Sequence, residues 1–244
     1  MSDAQDVTAD KVKFDDNSAI TDVFLRGDDV GIRVDGGKEF LMLEGAQGKS
    51  FRLNDDLIAK VDTNVEFDGY TNYYVGIGAR ASLTVGKGAG NVEVWLSDDS
   101  LDYHGTIYDG NFAVLDASQS DGSNILAGNE LSNVIIGGSG ENSLWGGYGS
   151  ESDTLIGGAG QNTFFYGAGN GNDNVQNAHD GDIISLEDIT LDQISDANIT
   201  SGGVIFKFTD GGSLTVDGTA DVTYQLADGS KYSANHEQMA WEDK

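Results

Sequence analysis

The sequence predicts an all-β chain: a parallel β-roll or β-solenoid in the middle, a β-rich N-terminal region before it, and a C-terminal β-hairpin cap. Three observations carry that prediction. Six short apolar strands follow one another at nearly fixed spacing between Asn124 and Val175, and glycine fills the turns before most of them. The 244 residues include 35 glycines and no proline, where ordinary composition gives about a dozen prolines; proline lacks the N–H that a continuous strand ladder uses. Elsewhere, short apolar runs alternate with turns rich in Gly, Asp and Asn.

Taken in order, residues 1–10 are polar and read as a disordered tail. Residues 11–118 read as β, with strands at Val23–Leu25, Phe40–Leu43, Tyr73–Ile77, Ser82–Val85, Val92–Leu96 and Phe112–Leu115. Turns such as Asp35-Gly36-Gly37 and Asp109-Gly110-Asn111 separate them. The expected arrangement is an irregular β-solenoid feeding into the roll, because Phe112–Leu115 passes into Asp121–Asn124 with no linker; a separate sandwich is the alternative. Residues 55–61 are read as a single helical turn. Residues 119–182 form the roll and 183–244 the cap. In the cap, Leu186–Ile194 holds a short helical turn, and Val204–Phe208 and Ser213–Val216 form a hairpin across Thr209–Gly212. Val222–Leu226 and Lys231–Ser233 follow, and His236–Lys244 read as loose. A cap is expected because a solenoid end exposes unpaired strand edges.

The repeat reads Gly-Gly-x-Gly-x-Asn/Asp-x-apolar-x. Its clearest copies are Gly137–Trp145 and Gly157–Phe165. With Asn124, Asn133, Asn142, Asp153, Asn162 and Asp173 as origins, the residues two positions on are Leu126, Ile135, Leu144, Leu155, Phe164 and Val175. All six are apolar, because one side chain per short strand points inward. Glycine suits the turns: positive φ costs it little and no Cβ blocks the neighbouring coil. Residues 120–176, about a quarter of the chain, resemble the RTX (repeats-in-toxin) nonapeptide family. That resemblance implies a right-handed parallel β-roll with calcium in its turns, and export from the cell. The chain departs from the family at the metal position, where four of six units carry Asn instead of Asp.

Alternate turns of a roll lie on opposite edges. One edge then carries Asn124, Asn142 and Asn162 and reaches Asp180-Gly181-Asp182; the other carries Asn133, Asp153 and Asp173. Calcium takes six to eight oxygens, normally with some carboxylate among them. Two motif aspartates on adjacent turns occur where Gly146–Asp153 faces Gly167–Asp173. The expected ion lies there, with Asp153 and Asp173 as carboxylate ligands and the carbonyls of Gly147, Gly149, Gly167 and Gly169 around it. Both turns are two residues longer than the motif. A second, weaker site pairs Asn162 with Asp180 and Asp182, and Asn133 stands on the edge of Asp153 and Asp173. The alternative is a metal-free edge in which stacked Asn side chains hydrogen-bond as a ladder.

Acidic residues outnumber basic ones 41 to 13, for a formal charge of −28. That excludes a nucleic-acid partner, which needs Lys/Arg patches, and disfavours an anionic membrane surface. A solvated acidic surface and partial neutralisation by divalent cations both account for it. No cysteine is present, so disulfides and thiol chemistry are absent. No apolar run is long enough to span a bilayer as a helix, and Met1–Asp6 shows no signal-peptide pattern. The expectation is a region of a larger exported protein. His104, His179 and His236 are scattered and form no zinc ligand set. Gly45–Ser50 lacks the first glycine and the helix of a phosphate loop. No catalytic constellation stands out, so no enzyme is expected.

The function expected is therefore that of a non-catalytic, calcium-stabilised β-solenoid from an exported bacterial surface or matrix protein, extracellular or at the cell surface. It would serve adhesion, display or assembly, with self-association or a cell-surface glycan as partner. The alternatives are an accessory or secretion domain of a secreted enzyme or toxin, and a carbohydrate-binding module using the outward aromatics Trp145 and Phe165.

Overall fold

The computed structural model describes residues 20–34, 41–52, 58–68, 71, 73–96, 107–237 and 240–243. The expected tail at 1–10, the turn at 35–37, Phe40 and His104 lie outside them. The described residues are all β apart from one 3-10 turn at Leu191–Gln193. Among them, no helix is long and apolar enough to cross a membrane. They fall into two compact units, one within Met1–Thr84 with Asp98–Phe112, the other within Val85–Ser97 with Ala113–Lys244.

The N-terminal unit contains β1 (Ile20–Arg26), β2 (Asp29–Val34), β3 (Leu41–Leu43), β4 (Ser50–Arg52), β5 (Ile58–Asp62), β6 (Asn64–Phe67) and nearly all of β7 (Tyr73–Val85). Strands β1–β2–β3 form an antiparallel meander. Strand β5 pairs antiparallel with β4 and parallel with β7. Val30, Ile32, Phe51, Val61 and Val75 share one buried cluster. Three expectations change here. Residues 58–61 of the expected helical turn belong to β5, whose Ala59 and Val61 are buried at the alternate positions a strand provides. The two expected strands at 73–77 and 82–85 are one strand. Asp109-Gly110-Asn111 is no turn: it lies inside a later strand, β9, where Gly110 stacks on the backbone of Gly76 and leaves no room for a Cβ.

The C-terminal unit carries the repeat. Its strands are β8 (Glu93–Trp95), the second half of β9 (Ile107–Asp116), β10 (Ile125–Ala127), β11 (Val134–Ile136), β12 (Ser143–Trp145), β13 (Thr154–Ile156), β14 (Thr163–Tyr166), β15 (Asn172–Gln176) and β16 (Ile183–Leu186). Successive strands alternate between two sheets. Strands β8, β10, β12, β14 and β16 pair in parallel in one; β9, β11, β13 and β15 pair in parallel in the other. The pairing Leu126↔Leu144↔Phe164↔Ile184 fixes the register of the first sheet, and Leu115↔Ile135↔Leu155↔Val175 that of the second. This two-sheet parallel arrangement is consistent with a β-roll. The six residues expected to point inward are all buried, at 0–1% exposure. Burying each such side chain is worth about 1.5–3 kcal/mol, and no disulfide is available to substitute for it.

Beyond the repeat come β17 (Ile194–Thr200), β18 (Gly203–Phe208), β19 (Ser213–Asp217), β20 (Thr223–Gln225), β21 (Lys231–Asn235) and β22 (Ala240–Asp243). Strands β18 and β19 are the expected antiparallel hairpin, and β19 continues the second sheet parallel to β15. Strand β20 continues the first sheet parallel to β16, and β21 and β22 follow antiparallel. The sequence reading missed β17 and β22. The latter replaces the loose end expected at 236–244, because Trp241 packs on Phe206 and Tyr224, each ring pair 5.4 Å apart. The helical turn expected within Leu186–Ile194 is the 3-10 turn, closed by a capping box between Thr190 and Gln193.

Candidate metal edge of the roll

Each turn of the repeat ends in an Asn or Asp whose side chain folds under the strand. At four of these positions the Oδ1 accepts the backbone N–H of the equivalent residue one coil earlier. On one edge, Asn133 N donates to Asp153 Oδ1 at 2.8 Å and Asp153 N to Asp173 Oδ1 at 2.9 Å. On the other, Asn142 N donates to Asn162 Oδ1 at 3.3 Å and Asn162 N to Asp182 Oδ1 at 2.7 Å. All six residues are buried. The stacking needs glycine in the turns: a Cβ on Gly158 would collide with the carbonyl of Gly138 one coil away.

The two edges differ in how the side chains are satisfied. Asn124 Nδ2 donates to Asn142 Oδ1 at 2.8 Å, and Asn142 Nδ2 to Asn162 Oδ1 at 2.9 Å. Asn142 and Asn162 also donate to Gly140 O and Gly160 O, each at 2.7 Å. That is the neutral ladder. It closes on Asp182, whose Oδ2 accepts from His179 N at 2.8 Å. Asp153 and Asp173 are carboxylates and have no such donors to offer. One oxygen of each accepts a backbone N–H, and no hydrogen bond among the described residues reaches the other.

Burial is the main reason both carboxyls titrate high. Asp153 is pushed up to about 7, with the Asn133 N–H pulling down and the charges of Asp173 and Glu151 pushing further up. Asp173 also rises to about 7, against the pull of the Asp153 N–H. Two carboxylates stacked in this way are costly to ionise unless a cation shares them.

The structure brings some expected ligands together and separates others. Asp153 and Asp173 are neighbours on one edge with Asn133, as their hydrogen bonds show. Gly147 and Gly149 take φ of 112° and 126°, and Gly169 takes 83°; these are conformations that let the longer turns fit within the coil. Gly146 lies beneath Asp153, and a Cβ there would collide with its Oδ2. Gly167 and Gly169 are bordered by acids the sequence reading did not single out: Ala168 N donates to Asp188 Oδ1 and Gly169 N to Asp210 Oδ2, both at 2.7 Å. Asp188 carried a signal, since it lies one 20-residue coil beyond Ala168; Asp210 arrives through the hairpin and carried none. Asn162 meets Asp182, whereas Asp180 accepts from Asp221 N at 2.8 Å on the surface. Among the described residues, no three His, Cys, Asp or Glu side chains stand close enough to share an ion. A calcium ion would depend on carbonyl oxygens to complete its shell, which hard cations accept. The donor set of paired carboxylates above glycine turns fits such an ion.

Trp145 and Phe165 lie on the outer face, as expected, and both are partly buried. Trp145 meets Trp95 edge to face at 5.7 Å and Tyr148 at 4.6 Å. Tyr148 itself is 71% exposed.

Comparison with known proteins gives one match. Residues 119–150 and 149–173 match the model of the RTX calcium-binding nonapeptide repeat, in four copies. The segment therefore carries repeats of a calcium-binding family whose members are typically found in secreted proteins. No curated protein and no solved structure matches the chain.

Proposed function

We propose that the chain is a non-catalytic region of an exported bacterial surface or matrix protein, a calcium-stabilised right-handed β-solenoid that serves adhesion, display or assembly outside the cell. The observation that carries this reading is the Asp153–Asp173 pair: two buried residues stacked on one edge, each with a carboxylate oxygen that no hydrogen bond among the described residues reaches. Asp153 and Asp173 would hold the ion, with the carbonyls of Gly147, Gly149, Gly167 and Gly169 as further oxygens. Extracellular modules bind calcium at about 0.1–1 mM, and binding to the folded state alone adds about 1.4 kcal/mol at ten times Kd. The roll would therefore firm up outside the cell.

The test is a melting curve and far-ultraviolet circular dichroism with calcium and with chelator, beside a sizing column. Calcium should raise the melting temperature and the strand signal. Identical curves under both conditions at calcium up to about 10 mM would refute the metal role. A second reading, glycan attachment, draws support from Tyr148 standing exposed beside the Trp95–Trp145 pair. It predicts a glycan hit lost in Tyr148→Ala.

A further inference from the structure

Past the roll, the first sheet continues into β20, β21 and β22 and the second into β19, β18 and β17. A cavity of about 550 Å³ opens among these strands and the end of β16. Its wall is set by strand alternation, which turns Phe206 of β18 and Tyr224 of β20 inward. Phe206, Tyr224 and Trp241 pack against one another with ring centres 5.2–5.4 Å apart. The size falls within the usual range for small-molecule sites, about 300–1,000 Å³.

Two features give the cavity a chemical preference. First, among the described residues Asp196 is the one acid on its lining, and no Lys, Arg or His lines it. The Asp196 carboxylate is 3.8 Å from Lys207, but both side chains are more than half exposed, and such a pair is weak and exchanges readily with solvent. Second, Tyr224 is 3% exposed and lines the cavity, and its hydroxyl has no hydrogen-bond partner among the described residues. Burial alone pushes its phenol up, so the hydroxyl stays protonated and can donate or accept. The hydroxyl is therefore open to a polar group of a ligand, which would replace the water it meets in the cavity.

We propose that this cavity binds a small apolar molecule carrying a protonated amine, its body against Phe206, Tyr224 and Trp241 and its ammonium at Asp196. An anion would enter a chain of formal charge −28 with no cation among the described residues of the cavity wall. A cation is drawn in by that field and gains from the faces of Trp and Tyr. This site shares no residue with the Asp153–Asp173 edge, and its test does not depend on the calcium reading.

The experiment titrates the full chain, with calcium present, against three isosteres: 2-phenylethylamine, 2-phenylethanol and phenylacetate. Calorimetry and tryptophan fluorescence report binding. The amine should bind about tenfold tighter than the alcohol, and the carboxylate should not bind measurably. Asp196→Asn should bring the amine down to the affinity of the alcohol and leave the alcohol unchanged. Asp196 is more than half exposed, so this variant is not expected to disturb the fold. Ala197→Leu, on the cavity wall, should remove binding of both. The proposal is overturned if the amine binds no tighter than the alcohol, if Asp196→Asn leaves the preference intact, or if no probe binds at about 5 mM.

Discussion

The two edges of the roll are built from the same repeat and reach opposite electrostatic outcomes. On the edge of Asn124, Asn142 and Asn162, each amide both accepts and donates, so the buried column is neutral and self-satisfied. On the edge of Asp153 and Asp173, the ionised side chains only accept, and no hydrogen bond among the described residues reaches the second oxygen of either. The swap of one amide for one carboxyl at a fixed position thus separates a structural edge from a cation-seeking one. Turn length follows the same division. The turns Gly146–Asp153 and Gly167–Asp173 are longer than Gly137–Asn142 and Gly157–Asn162, and positive φ values concentrate in the longer pair.

The largest effect should come from breaking the coil stacking on the Asn edge. Gly158→Val would press a side chain into the carbonyl of Gly138. It should abolish cooperative unfolding in urea. Gly169→Ala on the other edge has open space and pays only for its φ of 83°, about 1 kcal/mol.

Truncating the shared interior should weaken both edges together. Leu144→Ala is expected to cost about 2–5 kcal/mol in urea denaturation, with calcium unable to restore it fully. A loss of less than about 1 kcal/mol would mean that Leu144 is not part of a close-packed core.

Calcium should act on one edge. Hydrogen exchange at 146–153 and 167–173 should slow on adding calcium, while 137–142 and 157–162 change little. Equal slowing on both edges would erase the proposed distinction.

Acidity sharpens the comparison further. Asp153 and Asp173 hold protons up to about pH 7 in the folded chain, against an ordinary value of 3.8. Between those values the folded state binds more protons than the unfolded one, so calcium-free stability should fall as pH rises from about 4 to about 7. A melting point lower by several degrees at pH 8 than at pH 5 is expected without calcium, and a smaller difference with it. The charge of the whole chain changes in the same direction, so Asp153→Asn with Asp173→Asn is the control. The double variant extends the amide ladder to the second edge. It should be more stable than the parent without calcium at pH 8, by about 1–3 kcal/mol, and should lose the calcium response.

The ladder itself can be tested on the other edge. Asn142→Ala removes bonds to Asn124, Asn162 and two glycine carbonyls. It should cost about 1–3 kcal/mol in melting or urea experiments, independent of calcium.

Much of this was legible in the residues. A strand pair repeating every 18–20 residues can bury one apolar side chain per half-coil only if those residues recur in step, and Leu126 through Val175 do so. The amide or acid at each turn was legible for the same reason, since the period assigns it to an edge. Gly110 was misread because a glycine needed for close backbone approach looks, in sequence, like a glycine needed for a turn. Strand β22 was missed because its polar residues lack an apolar period of their own; Trp241 places it, through contact with rings from other strands.

By itself, then, the sequence determined the β class, the coil period, the inward residues and the order of amides and carboxyls along each edge, because all of these are local or strictly periodic. Only the tertiary structure decided which oxygens of Asp153 and Asp173 are satisfied, which acids border the 167–169 turn, and where a cavity opens beside Asp196. Those outcomes depend on atoms brought together from distant parts of the chain, by hydrogen bonds and packing whose partners no local pattern encodes.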